Sequence, residues 1–186
     1  MADVTNPTKT SLGASIPMLY TDLDGTNYAP AVTVVGFADT VLDLTLSTDS
    51  GAYTANDVLA ATQALAGAAR VAGGTGIIQT ISLLDKDDQG VAMDLVFLDA
   101  NVGIGTENAA VSVADSDAVA ILGTINIGTS DYCDLINSQV ATLTNVGFEY
   151  KCAAAATGLW VAAITRGGTP TYTAAGLSLK IGILKG

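Results

Sequence analysis

The sequence has no histidine, only two glutamates (Glu107 and Glu149) and seven lysines plus arginines in 186 residues. Without histidine the chain lacks the usual general base near neutral pH, the commonest metal ligand and the usual partner of a nucleophilic Ser or Cys. Enzymatic chemistry would have to rest on carboxylates alone, so the expectation is a protein without catalytic, cofactor-binding or metal-binding residues. The shortage of cations, with a net charge of -11, argues against nucleic-acid backbones and anionic membranes as partners, since both select cationic surfaces. No apolar run is long enough to span a membrane, because Gly, Thr and Asp interrupt each one. Residues 1–10 are polar, contain Pro7 and do not read as a secretory leader. Aromatic residues make up 5%. The two cysteines, Cys133 and Cys152, match no zinc or redox spacing. They read as two free, partly buried thiols, with a disulfide left open if their strands are neighbours.

What remains is Ala, Val, Leu, Ile, Thr and Ser with 20 glycines. That mixture suits short β-strands and tight turns better than helices, whose exposed faces need Glu, Lys and Arg. Apolar and polar residues alternate with period two in several segments. Leu42, Leu44 and Leu46 alternate with Asp43 and Thr45. Val91, Met93, Leu95 and Phe97 share a face, as do Ile121, Gly123, Ile125 and Ile127. Phe148, Tyr150 and Cys152 oppose Glu149 and Lys151. Leu177, Leu179, Ile181 and Ile183 alternate with Ser178, Lys180 and Gly182. Such alternation predicts antiparallel sheets with one buried and one wetter face. Turn signals at Gly73-Gly74, Asp87 to Gly90, Asn101 to Gly105, Gly128 to Asp131 and Arg166 to Pro170 separate the runs.

The expected fold is all-β, a jelly-roll-like antiparallel β-sandwich of about eight strands over residues 31–186, because a second sheet covers the first. Residues 1–30, with Pro7, Pro17, the closing Pro30 and the turn Asp22-Leu23-Asp24-Gly25, read as an extended N-terminal arm. Such an arm either grips a neighbouring subunit or wraps its own domain. The Ala-rich stretch Asn56 to Arg70 reads as a strand over Tyr53 to Ala60 followed by irregular chain, against a short helix capped by Asn56 or Asp57. A helical turn fits Asp115 to Val119.

Several groups bear on chemistry. Asp85-Lys86-Asp87-Asp88-Gln89-Gly90 resembles the opening of a calcium loop, but the twelfth position is Val96 where a bidentate Glu is required. It reads instead as a hairpin turn between Ile77–Leu84 and Val91–Leu98. Asp22 and Asp24 read as an acidic turn tip. Asp115 and Asp117 would share a face on a strand, with no sign of the cleft a catalytic pair needs. Gly73-Gly74-Thr75-Gly76 lacks the ending of a phosphate loop. Trp160 reads as core or interface packing, with a sugar-stacking platform as the alternative.

The runs AYTANDVLA, GAARVAGGTGIIQTISLLDKDDQGVAMDLVFLDAN, IGTENAAVSVADSDAVAILG and LWVAAITRGGTPTYTAAGLSLKIGIL resemble the small structural proteins encoded beside the major capsid gene in tailed bacteriophages, described as capsid decoration, cement or head-fibre-like proteins. The resemblance covers roughly residues 30–184. It implies a jelly-roll-like sandwich, often a homotrimer, on the outer surface of the capsid and bound to the major capsid protein, and it brings no catalytic motif. A second reading, a virion adhesin or carbohydrate-binding tail or spike module on the same sandwich, is motivated by Trp160, Tyr172 and the Asp-rich loops.

Overall fold

The computed structural model describes residues 38–186. The expected arm, with its Asp22–Gly25 turn, lies outside the described residues. Nine strands follow in order: β1 Ala38–Leu46, β2 Val58–Leu65, β3 Thr75–Asp85, β4 Met93–Leu98, β5 Ile121–Ile127, β6 Tyr132–Asp134, β7 Gln139–Lys151, β8 Leu159–Thr165 and β9 Leu177–Lys185. A single α-turn, α1 (Asp115–Ala118), and a 3-10 turn at Thr129–Asp131 complete the elements.

The strands form two antiparallel sheets, ordered β1-β9-β3-β7-β6 and β2-β8-β4-β5. Their pairing has a simple logic. β1 pairs β9, β2 pairs β8, β3 pairs β7 and β4 pairs β5. The chain is therefore one long antiparallel ribbon whose apex is the β4–β5 connection. The ribbon rolls until β9 also meets β3 and β8 also meets β4. This is the jelly roll, with β6 added as a short extra edge strand. Rolling one sheet over the other lets the alternating apolar sets of both meet in a single layer.

That layer holds Leu46, Ile78, Ile81, Leu83, Leu179 and Ile181 from the first sheet. Leu59, Leu65, Met93, Leu95, Phe97, Ile125 and Val161 come from the second. Full burial of such side chains stabilises by about 1.5–3 kcal/mol each. The alternation in β1, β9 and the end of β7 is as expected, and the Asn56–Arg70 stretch holds a strand rather than a helix, Val58–Leu65, which runs later than the expected Tyr53–Ala60. At Gly123 a Cβ would stand 2.7 Å from the ring of Phe148, which lies 5.5 Å (between centroids) from Phe97. Glycine lets that aromatic pair close the sandwich.

Two expectations need correction. Asp85–Gly90 does not close a hairpin, because β3 and β4 lie in different sheets; the turn carries the chain across the sandwich. The Asp85 side chain, fully buried, organises that crossing. Its carboxylate accepts the backbone N–H groups of Asp87 (3.0 Å), Gln89 (2.9 Å) and Gly90 (2.8 Å). Alternation shows which way a side chain faces, and leaves open which strand lies alongside. Ile121 does not share a face with Ile125 and Ile127. The pairing with β4 skips one residue between Phe97/Gly123 and Leu98/Ile121, a β-bulge at Leu122. It turns Ile121 to the far side of its sheet, against the cluster containing Leu98.

That far side is also buried. Val58, Val96, Leu98, Ala162 and Ile164 form a second cluster there with Ile104, flanked by Val102, Val111, Val113 and Trp160. The covering chain is the 99–113 stretch of the ribbon apex. Thr62 Oγ1 donates to the Val102 carbonyl at 2.6 Å, and Val58 N–H donates to that of Ala109 at 2.9 Å. At Gly105 (φ +133) a Cβ would meet Val58 Cγ2 at 2.9 Å, so glycine permits the close approach. One sheet of the sandwich thus carries its own cover.

Candidate interaction surface

The groups singled out in the sequence do not converge. Asp115 and Asp117 sit on α1, which has no buried residues, rather than on a strand. The Asp87 carboxylate accepts the N–H and hydroxyl of Thr173, at 2.8 and 3.0 Å, in a loop-to-loop tie. Gly73 to Gly76 form the turn into β3. Among the described residues no three His, Cys, Asp or Glu side chains come together as a metal site. Trp160 is half-buried in the second cluster, and Tyr172 is 1% exposed with its ring against Tyr53. Tyr172 therefore offers no free face for stacking a sugar. Cys133 is exposed and Cys152 buried, and both are free. Cys133 pairs with Val140 at the start of β7 and Cys152 follows its end. Measured along the partner strand β3, from Leu84 opposite Val140 to Thr75 opposite Lys151, the two ends lie roughly 30 Å apart at about 3.3 Å per residue, far beyond disulfide reach.

Burial drives every shifted ionisation. The phenols of Tyr53, Tyr132, Tyr150 and Tyr172 are pushed up from their ordinary value, chiefly by desolvation, with nearby carboxylates such as Asp85 adding to it at Tyr132 and Tyr172. Desolvation also raises the Cys152 thiol. These are properties of a tight interior, where Tyr53, Tyr132 and Tyr150 act as polar pins while the buried Tyr172 hydroxyl has no hydrogen-bond partner. Tyr132 donates to the Val91 carbonyl at 3.0 Å and Tyr150 to that of Ala68 at 2.5 Å.

What the structure does present is a surface. The outer face of the five-stranded sheet has no cover among the described residues. Its register sets side chains in four rows: Asp39-Leu184-Ile77-Glu149, Val41-Gly182-Thr80-Thr144, Asp43-Lys180-Ser82-Thr142, and Thr45-Ser178-Leu84-Val140-Cys133. Every one of these residues is exposed or half-buried. The charges on this face are three carboxylates against two ammonium groups, Lys180 and Lys151, the latter paired with Thr75 one row beyond Ile77–Glu149, and the Lys180–Asp43 pair closes at 2.7 Å. Two shallow troughs, of about 380 and 450 Å³, run across it, the first floored by Gly182 between Val41 and Thr80 and the second lined by Leu84, Val140 and Ser178. Thr, Ser, Gly and Val lose little rotamer freedom when covered. A face of small β-formers with few ions is therefore cheap to desolvate.

Sequence reasoning located the residues of this face but missed that, among the described residues, one sheet is covered and the other is not. The signal was indirect: Val96 and Leu98 are apolar on the side of β4 expected to be wet, so that sheet needed a cover.

No family model matches the chain, and no curated protein matches it. Solved structures similar to it include a chain of Desmodium yellow mottle tymovirus, 12% identical over 98% of this chain and 94% of that one, with a TM-score of 0.26. Others are a chain of infectious bursal disease virus Gx strain (16% identical, 98% and 42% covered, TM-score 0.20) and the infectious bursal disease virus VP2 subviral particle (14%, 90% and 44%, TM-score 0.20). Similarity at these TM-scores carries no functional argument, and the fold rests on the strand pairing above.

Proposed function

We propose that the chain is a virion structural subunit of a tailed bacteriophage, a capsid decoration or cement protein without chemistry of its own. It binds the outer surface of the major capsid protein shell as a homotrimer and stabilises the mature head. The observation that carries this reading is the open face of the five-stranded sheet, flat and weakly charged while its counterpart sheet is sealed by the 99–113 stretch. The resemblance of residues 30–184 to phage head proteins supports the assignment. A subunit that binds only the mature shell favours that state by mass action. Engagement of three copies at once turns modest single contacts into tight attachment through effective concentration.

The test is quantitative mass spectrometry of purified virions, counting copies of this chain per major capsid protein. A ratio near one, or one trimer per few shell subunits, is expected. A handful of copies per particle would move the chain to a tail or vertex position, and absence from virions would end the proposal. The two aromatic residues that motivated a carbohydrate-binding module are buried or half-buried, so that reading gains nothing from the structure.

A further inference from the structure

The β6–β7 hairpin ends in Leu135-Ile136-Asn137-Ser138, and its tip breaks two rules at once. Leu135 N–H donates to the Ser138 carbonyl at 2.9 Å, leaving Ile136 and Asn137 as the central residues of a two-residue connection. Ile136 has φ +77 and Asn137 is not in the positive-φ region. That is the type II′ pattern, whose first central position ordinarily takes glycine. A β-branched residue there is a steric outlier. The other non-glycine residues at positive φ are Asn56, Asp88, Asn108, Asn145 and Ala175, of which the Asn and Asp tolerate that conformation readily. Ile136 is also 83% exposed and its neighbour Leu135 54% exposed. Isolated surface apolar side chains are ordinary. Two adjacent ones, at a tip where one occupies a glycine position, are not accounted for by packing within the fold.

The tip is tied back to its own strand. Asp134 Oδ1 accepts the Ile136 N–H at 2.6 Å, fixing the turn from its own strand. Two carboxylates, Asp131 and Asp134, flank the tip in sequence, and Lys86 follows Asp85, the β3 residue that pairs with Gln139 at the foot of the hairpin. Strained residues persist where something outside local stability selects them, and a rigid apolar group binds with less loss of freedom than a flexible one. We infer that the Leu135–Ile136 tip is a preorganised plug for a neighbouring protein of the shell, entering a socket of aliphatic side chains rimmed by Lys or Arg. This rests on the decoration reading and adds a second, pointed contact to the flat one.

Shells of the major capsid protein, stripped of this chain, provide the probe. Wild type, Ile136→Gly and the sheet-face variant Thr80→Arg are each sedimented with them across 50 to 500 mM NaCl. Ile136→Gly suits the positive-φ position and removes the more exposed of the two side chains of the plug. The expected result is at least a tenfold weaker binding for Ile136→Gly, with wild-type binding falling as salt rises. Wild type that does not bind shells at all would sink the decoration reading and this inference with it. Wild type that binds, with Ile136→Gly equally tight and Thr80→Arg defective, would overturn the plug and leave the decoration reading standing. An altered oligomeric mass of Ile136→Gly with unchanged shell binding would overturn the shell partner in favour of a contact between copies of this chain.

Discussion

Replacing Ile136 by glycine tests whether the tip stores strain. A β-branched residue held at φ +77 costs about 1–2 kcal/mol relative to a right-handed conformation, and glycine relieves that cost. Against this, glycine gives the unfolded chain more freedom, a loss of roughly 0.5–1 kcal/mol. The isoleucine side chain is 83% exposed, so of the ~1.5–3 kcal/mol that full burial provides only about 0.3–0.5 is forfeited. The terms sum to between a loss of about 0.5 and a gain of about 1 kcal/mol. Val119 supplies the control: it is 85% exposed but sits at φ -66, where glycine brings the entropic loss with no relief. Val119→Gly should therefore cost about 1 kcal/mol, and the two glycine variants should differ by ~1 kcal/mol. Urea unfolding of both, read by tryptophan fluorescence and circular dichroism, gives the comparison. In a domain of this size the difference corresponds to about 2–4 °C in melting temperature. Equal losses at the two positions would refute the strain argument.

Asp85→Ala removes a buried carboxylate that accepts three backbone N–H groups. A loss of about 3 kcal/mol or more is expected, partly restored in Asp85→Asn, by the same denaturation assay. A disulfide reagent should titrate one thiol, Cys133, in the native protein and two after unfolding, since Cys152 is buried with its thiol pushed up; two fast thiols or none would contradict the structure. Stability should fall as pH rises above 10. Tyr53, Tyr150 and Tyr172, which are buried, and the half-buried Tyr132 ionise near 10 when unfolded and only at higher pH when folded. Their contribution is fully present below pH 10 and is lost on going above it, so melting temperature measured from pH 8 to 11 should bend downward at the alkaline end.

Strand faces were legible in the sequence wherever a strand has one wet side. Leu177 to Ile183 and Phe148 to Cys152 could be assigned from period two alone, because nothing among the described residues covers their outer side chains. Legibility failed where burial is two-sided or the register slips. In β4, Val96 and Leu98 are as buried as Leu95 and Phe97, which erases the alternation that identifies a half-wet strand. The 99–113 cover is an irregular chain whose apolar residues, Val102, Ile104, Val111 and Val113, follow no period, so its glycines and asparagines read as a plain turn. The bulge at Leu122 leaves no mark in composition. Ile136 is the sharpest case. A two-residue hairpin is normally announced by glycine or Asn-Gly, and here the glycine position holds the residue least suited to it, which hides the turn from pattern reading and marks it once the backbone is seen.

These failures share a cause that bears on function. A jelly roll has two outer faces, and alternation alone treats them alike. Here the ribbon apex was long enough, from Asp99 to Ala120, to fold back over β2-β8-β4-β5, and a bulge, a close-contact glycine and loop-to-strand hydrogen bonds serve that closure. No comparable device guards β1-β9-β3-β7 among the described residues. Its outer rows retain the small, β-branched side chains of a surface suited to being covered, and the one hairpin leaving that sheet at its β6 edge ends in two exposed apolar residues. A fold stabilised only as an isolated domain gains nothing from sealing one sheet while leaving the other flat and placing isoleucine at a glycine position. Both features find a use if the five-stranded sheet and its hairpin tip belong to a contact made with another protein.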